Sequence, residues 1–550
     1  VAAVLWVAGQ VCGCAEYTAE YDQYEGSDST AAPDQGTPRP SDGSGPVGDD
    51  DDDDGYYDDQ GDDDVEDWEP LPTEAPDSFY RTEPAGADLY VFVANPDRDT
   101  VTKIEVETQA VYTLHVGEHP TQVVVREEEP RKALVLNEGD STITIIDTRT
   151  DEMTTVPIHQ DTNYMVVSPD ARYAITYFDE RVESADTGFE GVRSFSSISV
   201  VYTGTASTPP TSTPVVLALN PRSAVFVPTG DEAVVLCDDA LGLVTLSTEP
   251  SARVIPLTTE IEEHLDVSEL VVSPDGRYAF LRLSNLAELV VVDLETPYTD
   301  EAVSRLALPA VPSDMALADD TLVLVDRTDR MLILFDALHP EAEPGAVSLP
   351  EDQLVGSIAV TPDGSHAILY TTLTEEDLTG TAEEGTPLNR FSLWDLATDE
   401  ITLYELVKPV QRVAMGSFES YQVVTFIHDG SADSPVEAFA QEEAVSQFYL
   451  EDDLVVPTLF EAPVKGLAES SAGLYQFMIL EDDLHVVVVD YATKQLQAVM
   501  VQSQPAFVGA LTGTETAFVS QEHELGRMSF VDPETLTVST ITGFELNAQP

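Results

Sequence analysis

Residues 268–296 read SELVVSPDGRYAFLRLSNLAELVVVDLET, and residues 356–373 read GSIAVTPDGSHAILYTTL. After an interruption the second copy resumes as RFSLWDLATDEITLYEL at 390–406. Each unit holds four short apolar strands. The first ends in a Ser- or Thr-Pro-Asp-Gly turn, the second reads like YAFLRL, the third like LVVVDLET and the fourth like ITLYEL. Pro fixes φ and Gly accepts positive φ, so Pro274-Asp275-Gly276 and Pro362-Asp363-Gly364 each close a tight turn, with a relative at Pro169-Asp170. A second marker is an Asp that closes the third strand: Asp147, Asp293, Asp336, Asp395, Asp490 and Asp532. An Asp there accepts backbone N–H groups of the next turn. These six occupy matching positions of different units, so they are expected to ring the domain as structural turn residues rather than converge on a metal.

Working outward, the unit recurs ten times, starting near residues 88, 120, 163, 221, 267, 311, 354, 410, 463 and 505. Strands rich in Val, Ile, Leu, Tyr and Phe, with almost no helical periodicity, make the chain all-β. Repeats of this length with four strands each suggest blades of a β-propeller, whose radial packing buries both faces of every sheet. Near-continuous apolar third strands such as Val486 to Val489 fit that burial. One ring of eight to ten blades is expected over residues 88–550. The first unit lacks a visible opening strand, and a strand near Phe544 to Leu546 is expected to supply it and close the ring.

The unit at 119–158, HPTQVVVREEEPRKALVLNEGDSTITIIDTRTDEMTTVPI, resembles the YVTN-type (WD-like) β-propeller repeats. The shared features are Pro120, a degenerate turn at Glu129-Pro130-Arg131, Asn137 ending the second strand, and Ile146-Asp147-Thr148 with Thr150. LYVFVANPDRDTVTKIEVET, residues 89–108, matches from its second strand. The resemblance covers about residues 88–545 and implies a fold, not a function.

Upstream, residues 1–14 read as an export signal. An apolar run, VAAVLWVAGQV, leads into Val11-Cys12-Gly13-Cys14, which resembles a bacterial lipobox and would place a lipid on Cys14. No Lys or Arg precedes Arg39, so the positive segment of a signal peptide is missing and a truncated start is part of this reading. Ala15 after the cysteine implies, by the same resemblance, the outer membrane or cell surface; periplasmic or secreted protein is the alternative. Residues 15–87 carry an unbroken Asp49 to Asp54 run and no periodicity, so they read as a disordered, self-repelling acidic tether. The Asp run lacks the spaced donors and turn glycine of a Ca²⁺ loop and is expected only to condense cations.

Charge narrows the partners. There are 102 acidic against 24 basic residues, a formal net of −78. Such a surface repels nucleic acid and anionic lipid and favours basic partners. Contact with a membrane is expected through the lipid anchor alone, and a monomer is expected. Cys237 stands alone in the body, so the repeats must hold by their core.

Three units carry long insertions, at 179–196, 372–389 and 430–445, each between the second and third strand. Those connections share one face of a propeller, where inserts often build a binding surface. Ser434-Pro435-Val436-Glu437 reads as the start of a short helix in the third. No HExxH, P-loop, GxSxG or haem motif occurs, and His115 with His119 lies on a strand and loop rather than a helix. The leading expectation is therefore a non-enzymatic binding or scaffolding lipoprotein with no cofactor, no metal ligands and an unknown protein or other envelope ligand. A metal-dependent, lactonase-like hydrolase and a subunit of an envelope complex are the alternatives.

Overall fold

The computed structural model describes residues 84–544 except 88, 127–130, 161, 183–194, 206, 259–264, 297–298, 352, 372–386, 429 and 431–441. These residues lie in the second of two compact units, Glu74–Pro550.

The chain folds into ten four-stranded antiparallel sheets, each paired in chain order. Taking first strand to last, they are Ala85–His115, Pro120–Pro157, Tyr164–Val216, Ser223–Pro256, Val267–Ala307, Asp314–Ser348, Ser357–Glu405, Val410–Phe460, Val464–Met500 and Pro505–Thr542, here blades 1 to 10. Among the described residues, helix is limited to a 3-10 turn at Pro96–Arg98 and one α turn at Thr299–Ala302.

The packing explains the spacing of apolar residues. In blade 2 the second strand, Lys132–Asn137, is buried throughout, because sheets cover both its faces. The outer strand, Met153–Pro157, buries only Val156. The inner strand of blade 4, Ser223–Phe226, is half-buried at every position. Apolar side chains of adjacent sheets merge into clusters that seam all ten joints. At the joint between blades 5 and 6, for example, Phe280 and Val291 of one sheet meet Leu324 and Phe335 of the next. The last cluster joins Val91, Val93 and Ile104 of blade 1 to Leu511, Phe518, Met528 and Phe530 of blade 10. The molecule is a closed ten-blade propeller, at the upper end of the expected range.

The expected closure by a C-terminal strand is corrected. Blade 1 takes its inner strand from Ala85–Ala87, paired with Tyr90–Phe92 and lying before residue 88. Phe544 is instead buried in the cluster at the closing joint. Ala-Gly-Ala carries no apolar alternation, so the sequence offered no strand signal there. It is small because the Phe518 ring covers it: a Cβ on Gly86, or on Gly509 in blade 10, would run into that ring.

Scarce cations sit in the joints. Lys103 of blade 1 donates to the Thr148 carbonyl of blade 2 at 2.7 Å and lies 4.0 Å over the Tyr90 ring. Lys132 of blade 2 donates to Thr203 and Gly204 carbonyls of blade 3 at 2.8 and 2.7 Å. Burial lowers the Lys132 pKa. Lys103 also pairs with Asp151 at 2.6 Å. With 102 acidic against 24 basic residues, most carboxylates have no cation to pair with, and self-repulsion should weaken the fold at low ionic strength. The midpoint of thermal unfolding is expected to climb from about 0.01 M to about 1 M NaCl, as the Debye length shrinks from about 30 Å to about 3 Å. A midpoint indifferent to salt would contradict this.

Candidate functional site

Antiparallel pairing fixes which loops share a face. Connections between first and second strands, and between third and fourth, leave one face; those between second and third strands leave the other, with the links between blades. The three insertions all belong to the second class. They lie between Tyr173–Tyr177 and Ser197–Tyr202 in blade 3, His366–Tyr370 and Arg390–Asp395 in blade 7, and Val423–His428 and Glu443–Tyr449 in blade 8. The third ends earlier than the sequence suggested, because Glu443 already pairs with Phe460. Residues 434–437, read as a helix start, lie outside the described residues.

The stems of the insertions are described, and all three are built alike. In each, a buried polar side chain from the preceding inter-blade link satisfies backbone groups where the insertion leaves the sheet. In blade 3, Asn163 donates to the carbonyls of Asp179 and Val182 at 2.9 and 3.0 Å and accepts the Asp179 N–H at 2.7 Å. Arg181 pairs with the buried Asp179 at 2.8 Å, and Phe178 meets Phe195 edge-on at 5.7 Å. In blade 7, Gln353 donates to the carbonyls of Leu369 and Arg390, on either side of the insertion, and accepts the Ser392 hydroxyl. In blade 8, the Lys408 ammonium, wholly buried, donates to the carbonyls of Gly430 and Glu442 at 2.7 and 2.9 Å. His428 braces the same stem, with its ring nitrogens 3.1 Å from the Pro409 carbonyl and 2.7 Å from Ser446 Oγ. Burial, with Lys408 nearby, pushes the His428 pKa down to about 4, so the ring is neutral.

None of these anchors was visible in sequence. Asn163 lies directly before its blade, Lys408 two residues before and Gln353 four before, so no fixed spacing marks them. The recurrent motifs occupy the opposite face. Asp147 accepts the N–H groups of Arg149 and Thr150 at 3.0 and 2.9 Å. Asp293, Asp336, Asp395, Asp490 and Asp532 accept backbone N–H groups in the same way. Bonds from Thr398 and Ala397 hold the Asp395 carboxyl below its ordinary range. In the two Pro-Asp-Gly turns, Asp275 and Asp363 each accept a preceding hydroxyl, and Gly276 and Gly364 adopt φ of +79° and +67°. Pro274 and Pro362 precede them in the same turns. Cys14 lies outside the described residues.

The inner strands carry a second polar arrangement. Arg282 pairs with Glu269 at 2.7 Å and donates to the Pro312 carbonyl of blade 6 at 3.0 Å. Asp314 of blade 6 accepts the Ile358 N–H of blade 7 at 2.8 Å. Burial, then the neighbouring Asp314, raises Glu269 to about 7. Gln122 clasps the Met165 N–H and carbonyl of blade 3 at 2.9 and 3.0 Å. These side chains tie free inner edges to one another. His115 is exposed at a strand end, and His119 has a left-handed φ of 51° with its N–H bonded to Asp99. Among the described residues no group of three or more His, Cys, Asp or Glu is placed to hold a metal ion. Cys237 is buried, and burial raises its thiol to about 12.

No family model and no curated protein matches the chain. The YVTN-type resemblance therefore has no family match behind it, and the propeller architecture is what stands. Similar solved structures include the dihydro-heme d1 dehydrogenase NirN in complex with DHE, at 14% identity over 68% of this chain and 74% of that one, with a TM-score of 0.41. Apo AztD from Citrobacter koseri is similar at 15% identity over 58% of this chain and 83% of that one, with a TM-score of 0.34. A eukaryotic initiation factor is similar at 9% identity over 75% and 96%, with a TM-score of 0.47. Likeness at this level carries no argument about function.

Proposed function

We propose that this protein is a non-enzymatic binding or scaffolding propeller that presents its three insertions, on one face, to a partner. The observation that carries this reading is the shared construction of the stems: three insertions on the same face, each anchored by a buried polar side chain from the link before it. A loop that merely drifts in length has no need of a buried Lys408 or Gln353 at its base. Rigid stems lower the ordering cost of binding. The acidic composition favours a basic partner. In this reading the protein is exported and held at the outer membrane or cell surface by a lipid on Cys14, with the acidic segment, read as residues 15–87 but shortened by the strand Ala85–Ala87, as the spacer.

The test replaces residues 373–386 and 431–441 by short turns and compares capture of envelope proteins with that of the parent chain. Loss of specific capture with an unchanged unfolding midpoint is expected. Undiminished capture by a folded variant would remove the insertions from the binding face.

A further inference from the structure

The joint between blades 8 and 9 contains a buried hydrogen-bonded network alongside its apolar cluster. Gln476 of blade 9 donates to Thr425 Oγ1 of blade 8 at 2.9 Å, and Gln447 of blade 8 donates to Gln476 Oε1 at 3.0 Å. The Tyr449 hydroxyl donates to Gln447 at 3.3 Å. At one edge of this network stands Glu469, the last residue of the inner strand Val464–Glu469. Its Oε2 accepts the N–H of Ser417, in the loop that joins the first two strands of blade 8, at 2.6 Å. The carboxyl lies directly against Gly416, where a Cβ would collide with it. Its Oε1 is sealed from water without a hydrogen bond of ordinary geometry. The buried Tyr491 hydroxyl bears on the same carboxyl.

We propose that the carboxyl group of Glu469 is a proton-operated latch on this joint: neutral, it holds loop 416–422 of blade 8 against blade 9, and ionised it lets that loop go.

The surroundings dictate the sign. The titratable groups facing Glu469 are Glu419 from the blade 8 loop, Glu515 from blade 10, and Tyr491 from blade 9. Tyr449 of blade 8 stands beside Tyr491. Lys494 is engaged elsewhere, 2.8 Å from Asp452 and 4.8 Å from the Tyr449 ring centre. An ionised Glu469 would therefore be a buried charge among like charges, with one oxygen unsolvated. A neutral carboxyl keeps the Ser417 bond. On ionisation the proton passes to solvent, and the carboxylate regains hydration only if loop 416–422 moves away. Burial raises Glu469 from 4.5 to about 7, outweighing the Ser417 N–H and the Tyr491 hydroxyl, which favour the carboxylate; Glu419 and Glu515 add to the rise. A raised carboxyl pKa favours the closed state fully below the free value. That preference is lost as pH rises from 4.5 to about 7.

Amide hydrogen exchange across residues 416–422, corrected for the intrinsic pH dependence of exchange, tests this on the full chain. Protection is expected to fall more than about tenfold over that pH range, a tenfold change corresponding to one pH unit of coupling. Glu469→Gln, a neutral isostere, is expected to stay protected throughout. Protection independent of pH in the parent, or a Glu469→Gln variant that keeps the parent's slope, overturns the proposal. Should that variant fail to fold, Glu419→Gln combined with Glu515→Gln leaves Glu469 in place. Removal of the two like charges should move the upper end of the fall to lower pH, and an unmoved transition counts against the latch.

Discussion

Phe518→Ala is expected to destabilise the fold by about 3–5 kcal/mol, the range for truncating a fully buried Phe. The chain itself spans nine of the ten joints. The tenth, between blades 10 and 1, brings together two distant parts of the chain and is held without a covalent link. Phe518 is the centre of that joint: it is 2% exposed, and Gly86 of blade 1 and Gly509 of its own blade both lie against its ring. No side chain on either glycine can move in to fill the space, so the cavity persists and its cost is added to the lost transfer energy. The strand Ala85–Ala87, which has no apolar side chains larger than Ala, should then fray first. A urea series gives the cost, and amide exchange at 85–87 and 505–521 locates it. A loss below about 1 kcal/mol, less than a single buried methylene and its cavity would account for, would mean that the ring is not closed here.

Lys408→Met is expected to cost about 2–6 kcal/mol, from about 1–3 kcal/mol for each of the two carbonyls left buried and unpaired. Met keeps much of the volume and removes the desolvation penalty of the ammonium, so the loss isolates the two hydrogen bonds to Gly430 and Glu442. Those carbonyls stand at the two ends of the third insertion, and the Lys408 ammonium bridges them. His428 would lose its charged neighbour and keep its own bonds to Pro409 and Ser446. Limited proteolysis should show faster cutting within 429–443 in the variant, alongside a lower unfolding midpoint. A variant as stable and as resistant as its parent would show that the stem is held by its strands alone.

The legible part of the fold was local. The Pro-Asp-Gly turns announce themselves because only Gly takes φ near +79° without strain, and the strand-closing aspartates do so because a short carboxylate reaches the amides two and three residues on. Where the rule is bent the signal fades: Ala171 takes φ of 54° in the turn after Pro169-Asp170, a position that glycine fills elsewhere. Asn137, a repeat feature in the sequence, donates to Thr142 and Thr144 across its own hairpin at 3.0 and 2.9 Å. The candidate face was legible in part. The positions of the insertions followed from where the strands stop. The anchors beneath them did not, because Asn163, Gln353 and Lys408 differ in chemistry and in spacing while serving the same purpose.

By itself the sequence determined most of the strands, their order within each unit and the number of units, because turn chemistry and apolar alternation act between residues close in the chain. Only the tertiary structure decided that ten sheets close on one another through Phe518, that Ala85–Ala87 is a strand, and that a lysine holds the base of an insertion. Each of these depends on groups far apart in sequence meeting in a dry interior. There, burial and the need to satisfy every polar group set the outcome, and no local pattern encodes it.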